Sequence, residues 1–319
     1  MTSVEDLVGR LARGERRALA RLLTLVEDGS PAEQRAVVAA LHPRGGGARL
    51  LGITGAPGVG KSSVTSALVG ALRGRGRRVA VLAVDPSSPR TGGALLGDRI
   101  RMQEHHGDDG VFVRSMAARG HLGGLAAAVP SATLVLAAAG FDDVIVETVG
   151  VGQSEVDVAA MADTTLLVMA PGLGDSVQAA KAGILEVADV LVVNKADQPG
   201  AGRLESELRG MLELGHVVGA PDDGWTPPVL RTVAVRGEGI EEVLDAAEAH
   251  RAASLASGGG AARERVRRWI VELAAGRLRD LGSSPGPLAT RLETLVDDVL
   301  SGETDPASAA ARLVDPGAG

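Results

Sequence analysis

A chain of 319 residues suits one large domain with appendages or two domains, and 45% apolar residues are enough for a substantial core. Aromatic residues make up only 1%, with no Tyr. The core must therefore be Ala, Val, Leu and Ile, and stacking of bases on aromatic faces is excluded as a main binding mode. A net charge of -7 argues against a partner bound through its phosphate backbone, and the absence of Cys removes disulfides, zinc ribbons and thiolate catalysis.

In chain order, Val4, Leu7, Val8, Leu11, Leu19, Leu22, Leu23 and Val26 form a helical stripe with Arg on the other face. Glu5, Asp6 and Glu15 interrupt this Arg-rich start, unlike a transit peptide, and it lacks the apolar core of a signal peptide. The run His42 to Gly47 reads as a linker. The pattern then changes to short strands at Leu50–Thr54, Val79–Val84, Val111–Val113, Asp143–Val146, Thr165–Ala170, Val190–Val193 and Pro228–Thr232. Runs apolar on both faces predict a mainly parallel sheet buried between helices. From about Ser257 the pattern is helical again, with stripes at Val266, Trp269, Ile270 and Leu273 and at Leu292, Leu295, Val296, Val299 and Leu300. No run approaches the roughly 18 apolar residues that span a bilayer. A cytoplasmic protein without nucleic-acid or membrane partners is expected.

Strand Leu50–Thr54 leads into Gly55-Ala56-Pro57-Gly58-Val59-Gly60-Lys61-Ser62, with Ser63 next, and a helical pattern leads out. This is G-x-x-x-x-G-K-[ST]: glycines let backbone N–H groups close around phosphate, the lysine reaches the β- and γ-phosphates, and the serine hydroxyl binds Mg²⁺. The fold expected is therefore α/β, a P-loop NTPase with a mainly parallel sheet flanked by helices. It divides as an N-terminal helical extension over 1–46, the P-loop domain over 47–255, and a C-terminal helical extension over 256–319.

At the end of strand Val190–Val193 stands Asn194-Lys195-Ala196-Asp197, an N-K-x-D. A carboxylate in the base plane accepts from guanine's ring N–H and exocyclic amine together, which adenine cannot match. Asp197 is thus expected to select guanine, with Asn194 supporting and Lys195 packing along the loop. Asp85, Asp98 and Glu147 are candidate Mg²⁺ acids with Ser62, because acids at the carboxyl ends of strands point into the nucleotide crevice. The competing reading of each is a helix cap or solvated loop acid. The residue after Gly150 is Val151 and the nearest glutamine is Gln153, so the water-orienting Gln of signalling GTPases is missing and unassisted hydrolysis should be slow.

Asp85-Pro86-Ser87-Ser88, Gly97-Asp98-Arg99-Ile100-Arg101-Met102, Glu147 to Glu155 and Pro171 to Gly183 together resemble the MeaB/ArgK/MMAA family, over nearly the whole chain. The resemblance implies a GTPase that binds GTP or GDP with Mg²⁺ and acts as chaperone to an adenosylcobalamin-dependent acyl-CoA mutase, with cobalamin handled through that partner. It implies that Pro171–Gly183 is an additional switch loop in which Asp175, Gln178 and Lys181 join Lys61, Asp98 and Glu147 as active residues. It also implies a homodimer packed by the helical extensions; the apolar stripes alone allow packing on the same chain equally. The family's base loop carries Ser-Ala, where this chain has Val233-Ala234 followed by Val235; the Ala234 N–H is still expected to meet guanine O6. Two other readings are a nickel-insertion GTPase, which would need Cys or His clusters where this chain has no Cys and scattered His apart from His105-His106, and an ATP-using kinase linked to amino-acid transport, against which Asn194 to Asp197 speaks.

Overall fold

The computed structural model describes residues 3–43, 47–86, 105, 107–118, 124–148, 161–172, 188–218, 224–258, 260–279 and 286–315. They fall into two compact units, 1–269 and 270–319. In the first, helices α1 (Val4–Ala12), α2 (Arg16–Asp28) and α3 (Pro31–Leu41) precede an alternation of strands and helices. The strands are β1 (Arg49–Thr54), β2 (Val79–Pro86), β3 (Val111–Ala118), β4 (Asp143–Thr148), β5 (Thr164–Met169), β6 (Val190–Val193) and β7 (Val229–Arg231). The helices between and after them are α4 (Lys61–Gly74), α5 (Gly124–Ala138), α6 (Ala201–Val218), α7 (Ile240–Ala256) and α8 (Gly260–Arg279), the last running across the division between units.

All seven strands are parallel, in the order β3-β2-β4-β1-β5-β6-β7. Their residues alternate between two apolar layers, as the period-two pleat requires. Ala80, Leu82, Val84, Val144 and Val146 face a layer shared with α1, α2, α3 and α5. Val79, Val81, Ile145, Leu166, Val168, Val190 and Val192 face the opposite layer, filled by α4 and α7. On the β6–β7 side, Leu167, Met169, Leu191 and Val193 pack against Leu204 and Leu208 of α6. The N-terminal helices thus share a core with the sheet, and Leu22, Leu23 and Leu41 lie fully buried in it. Burying each such leucine contributes about 1.5–3 kcal/mol.

Strand β3 runs five residues beyond the predicted Val111–Val113, because its polar positions are satisfied from outside the sheet. Arg114 donates to Glu27 of α2 at 2.7 Å, and Arg16 of α2 donates to the Val111 carbonyl at 2.8 Å. These bonds occupy polar groups on an edge strand that would otherwise invite pairing with another chain. Strand β2 also continues past the predicted Val84, so Asp85 lies within the strand, in register with Ala117, rather than just after it.

In the second unit, α9 (Pro287–Leu300) and α10 (Pro306–Val314) pack together, with Leu295 buried on the first and Ala309 on the second. Arg312 reaches Asp298 at 3.4 Å, and Arg291 donates to the Arg312 carbonyl. Ile270, Val271, Leu300 and Val314 of this unit are each more than half exposed.

Candidate nucleotide site

The carboxyl ends of β1, β4, β6 and β7 converge, and each hands the chain to a loop carrying polar groups. After β1 the chain turns through Gly55 to Gly60 and enters α4 at Lys61, so the N–H groups that a helix start leaves without intrahelical acceptors gather beside the loop. Two glycines here are obligatory. Gly55 has φ +141°, and a Cβ on it would meet the Val168 carbonyl of β5 at 2.1 Å. Gly60 has φ +96°, and a Cβ on it would meet Nδ2 of Asn194 at 2.5 Å. Lys61 is buried, with Nζ donating to the Gly55 carbonyl at 2.5 Å and the Ala56 carbonyl at 3.2 Å. The ammonium is held inside the curl of the loop, where a phosphate oxygen would draw it.

Glu147 lies in the last turn of pleat of β4, almost fully buried, and its Oε1 accepts from Ser62 Oγ at 2.6 Å. Two hard oxygen ligands thus meet beside the phosphate loop. That set fits Mg²⁺, which takes few protein oxygens and completes its octahedron with phosphate and water. Among the described residues no three His, Asp or Glu side chains gather as a metal cluster. Of the other predicted acids, Asp85 is placed by its backbone at the end of β2, while Asp98 lies outside the described residues, as do Asp175, Gln178, Lys181 and Val151.

The base-side loop is bound to the phosphate loop. Asn194 donates through Nδ2 to the Val59 carbonyl at 2.9 Å, and Lys195 donates through Nζ to the Gly58 carbonyl at 2.7 Å. Asn194 Oδ1 accepts from Thr232 Oγ1 at 3.1 Å and from the Ala234 N–H at 3.2 Å. Lys195 has φ +56°, an unfavourable left-handed backbone for a lysine that the surrounding bonds hold in place. Asp197 follows, half-exposed at the rim, and accepts from Arg236 Nη1 at 3.2 Å. Beyond β7, Val233 and Ala234 are buried while Val235 stands open to solvent.

These contacts tie Asn194 and Lys195 of the predicted base group to Gly58 and Val59 of the predicted phosphate group, and add two residues, Thr232 and Arg236. Thr232 was legible only as the polar end of an apolar strand, and Arg236 only as a charge in a Gly-rich turn. The Ala234 N–H expected to meet guanine O6 already has an acceptor, Asn194 Oδ1, so a base oxygen would have to share that proton.

The sequence profile of the family described as "Methylmalonyl Co-A mutase-associated GTPase MeaB" matches residues 19–284. This chain belongs to the MeaB family. It is a GTPase, and GTP or GDP and Mg²⁺ are its nucleotide and metal. A Pyrococcus horikoshii relative named as a GTPase is 43% identical over 317 residues, covering 99% of this chain and 98% of its own. The mouse protein named methylmalonic aciduria type A homolog, mitochondrial, is 33% identical over 329 residues, covering 98% of this chain and 79% of the relative. Among solved structures, that of an LAO/AO transport system kinase superposes with a TM-score of 0.69 at 29% identity, covering 98% of this chain and 96% of the other. The MeaB match extends past the sheet into α2 and α3 on one side and α8 on the other. Among the described residues no helix is long and apolar enough to cross a membrane.

Proposed function

We propose that this GTPase is the nucleotide-driven chaperone of an adenosylcobalamin-dependent acyl-CoA mutase, working in the cytoplasm as a homodimer and handling cobalamin only through its partner. The observation carrying the proposal is the breadth of the family match, which includes helical segments that a bare nucleotide-binding domain does not need. In this reading GTP binding and hydrolysis time the delivery of cofactor and the release of damaged cofactor, through the different affinities of two nucleotide states for the mutase. The exposed Ile270, Val271, Leu300 and Val314 support self-association through the C-terminal extension.

In this reading the residues of the site divide the work as follows, with the roles of Asp98, Asp175, Gln178 and Lys181 resting on the family resemblance alone. The backbone N–H groups from Gly55 to Ser63 and the Lys61 ammonium hold the phosphates. Ser62 and Glu147, with Asp85 and Asp98, hold Mg²⁺, which when bound neutralises phosphate charge. Asn194 and Lys195 frame the base, Asp197 selects guanine, and Val233 to Val235 line its outer edge. Asp175, Gln178 and Lys181 carry the nucleotide state to the partner.

The test is co-purification of the full chain with candidate acyl-CoA mutases, in GDP and in a non-hydrolysable GTP analogue. A complex whose yield depends on the nucleotide is expected; failure to retain any such mutase in either state overturns the proposal. A narrower prediction concerns Glu147, where Gln keeps the shape and removes the charge. Glu147→Gln should lower the GTP turnover rate about 10- to 100-fold, the worth of one hydrogen bond to a charged group. GDP affinity measured without Mg²⁺ should change little. An unaltered Mg²⁺ requirement for turnover would show that Glu147 does not serve the metal.

A further inference from the structure

The turn after β7 carries a guanidinium for which the roles above have no use. Arg236 sits in Val233-Ala234-Val235-Arg236-Gly237-Glu238, a turn closed by Val233 N–H to the Glu238 carbonyl at 3.0 Å and Arg236 N–H to the Val233 carbonyl at 2.8 Å. Gly237 takes φ +73°, which turns the chain back so that Arg236 and Glu238 lie side by side. Arg236 Nε donates to Glu238 Oε1 at 2.6 Å and Nη2 to Oε2 at 3.3 Å, a two-point grip that fixes the plane of the guanidinium. Its remaining edge points at the other loop, where Nη1 donates to Asp197 Oδ2 at 3.2 Å. The two loops are themselves joined by the Ala196 N–H donating to the Thr232 carbonyl at 3.0 Å.

We propose that Arg236, braced by Glu238, is a positioning residue for guanine recognition, holding the Asp197 carboxylate in the plane from which both its oxygens meet the base. The proposal rests on the guanine-selecting role given to Asp197 above. A half-exposed aspartate with two free torsions has no other side-chain partner among the described contacts to fix its rotamer. A carboxylate offers about four lone-pair sites. Arg236 uses one on Oδ2, which leaves Oδ1 and the second site on Oδ2 for the ring N–H and the 2-amino group of guanine. Arg236 also keeps the Glu238 carboxyl below the usual carboxylate range, so the brace stays ionised at working pH.

The measurement is a set of nucleotide titrations of the full-length protein with GDP, IDP and ADP. Inosine keeps the ring N–H but lacks the 2-amino group, so it uses one of the two contacts. Arg236→Ala should weaken GDP about 3- to 5-fold, the range an exposed ion pair supports, and IDP less than about 2-fold, so the preference for GDP over IDP narrows. Arg236→Lys, which keeps a donor for Asp197, should recover most of that preference, while Glu238→Gln should shift it in the same direction as Arg236→Ala. A general loosening of the turn would weaken both nucleotides together and leave their ratio unchanged, and that result would overturn the inference. So would tighter GDP binding in Arg236→Ala, which would mark Arg236 as a competitor of the base. A wild-type protein that holds ADP as tightly as GDP would instead sink the guanine reading itself, and this inference with it.

Discussion

Lys61→Ala should lower the affinity for GTP by about 100-fold or more, and that for GDP, which lacks the γ-phosphate, by about 10-fold. An ammonium that meets two phosphate groups supplies two charge-assisted hydrogen bonds of about 1.5–3 kcal/mol each, and about 3 kcal/mol is already more than a hundredfold in Kd. Lys61 is 7% exposed and rests on the Gly55 and Ala56 carbonyls, so its loss also removes donors from the loop itself. A thermal melt beside the titration separates the two effects, and Lys61→Met, which keeps the bulk without the charge, should lose nearly as much affinity while melting closer to wild type. Retention of GTP within about 5-fold by both variants would mean that Lys61 does not hold phosphate.

Asp197→Asn should weaken GDP by a similar factor and simultaneously raise affinity for xanthine nucleotides. The aspartate offers two acceptors to two donors on guanine. Its amide counterpart offers one acceptor and one donor, which mismatches the 2-amino group of guanine but matches the 2-oxo group of xanthine. A neutral side chain facing a wrong donor forfeits about 1.5–3 kcal/mol per contact to a charged group. Because Asp197 is half-exposed and its described side-chain partner is Arg236, folding should be little affected. Competition between GDP and XDP in one titration series decides the matter; an unchanged ranking would remove Asp197 from base selection.

Most of the sheet was legible because its strands are short runs of Val, Leu and Ile whose burial is complete, as in β4, β5 and β6. Strand β3 was read too short because Arg114 breaks its apolar run, and the partner that excuses that charge, Glu27, lies 87 residues away. The docking of α1, α2 and α3 into the sheet's own core was likewise hidden, since an amphipathic stripe says that a face is buried but not against what. The strand order cannot be read from apolar runs at all. In the site, Gly55 to Ser62 and Asn194 to Asp197 were legible because their chemistry depends on neighbours in sequence. Thr232 and Arg236 were not, because each acts on a loop about 40 residues away that meets it only after folding. Ala234 shows the same limit from the other side: its N–H, expected to meet guanine O6, donates to Asn194 Oδ1, a bond that residues 40 positions apart do not announce.

The bonds from Asn194 to the Val59 carbonyl and from Lys195 to the Gly58 carbonyl, together with the absence of room for any side chain on Gly60, bear on how such a site can diverge. Substitutions that alter base preference through Asn194 also disturb the curvature of the loop that carries phosphate, and substitutions at Gly60 reach the base. Selection acting through Asn194 or Gly60 therefore cannot retune the two halves one at a time. A lineage that alters its base reading at those two positions passes through forms that hold phosphate poorly, whereas a change at Asp197, whose described side-chain partner is Arg236, leaves the phosphate loop alone.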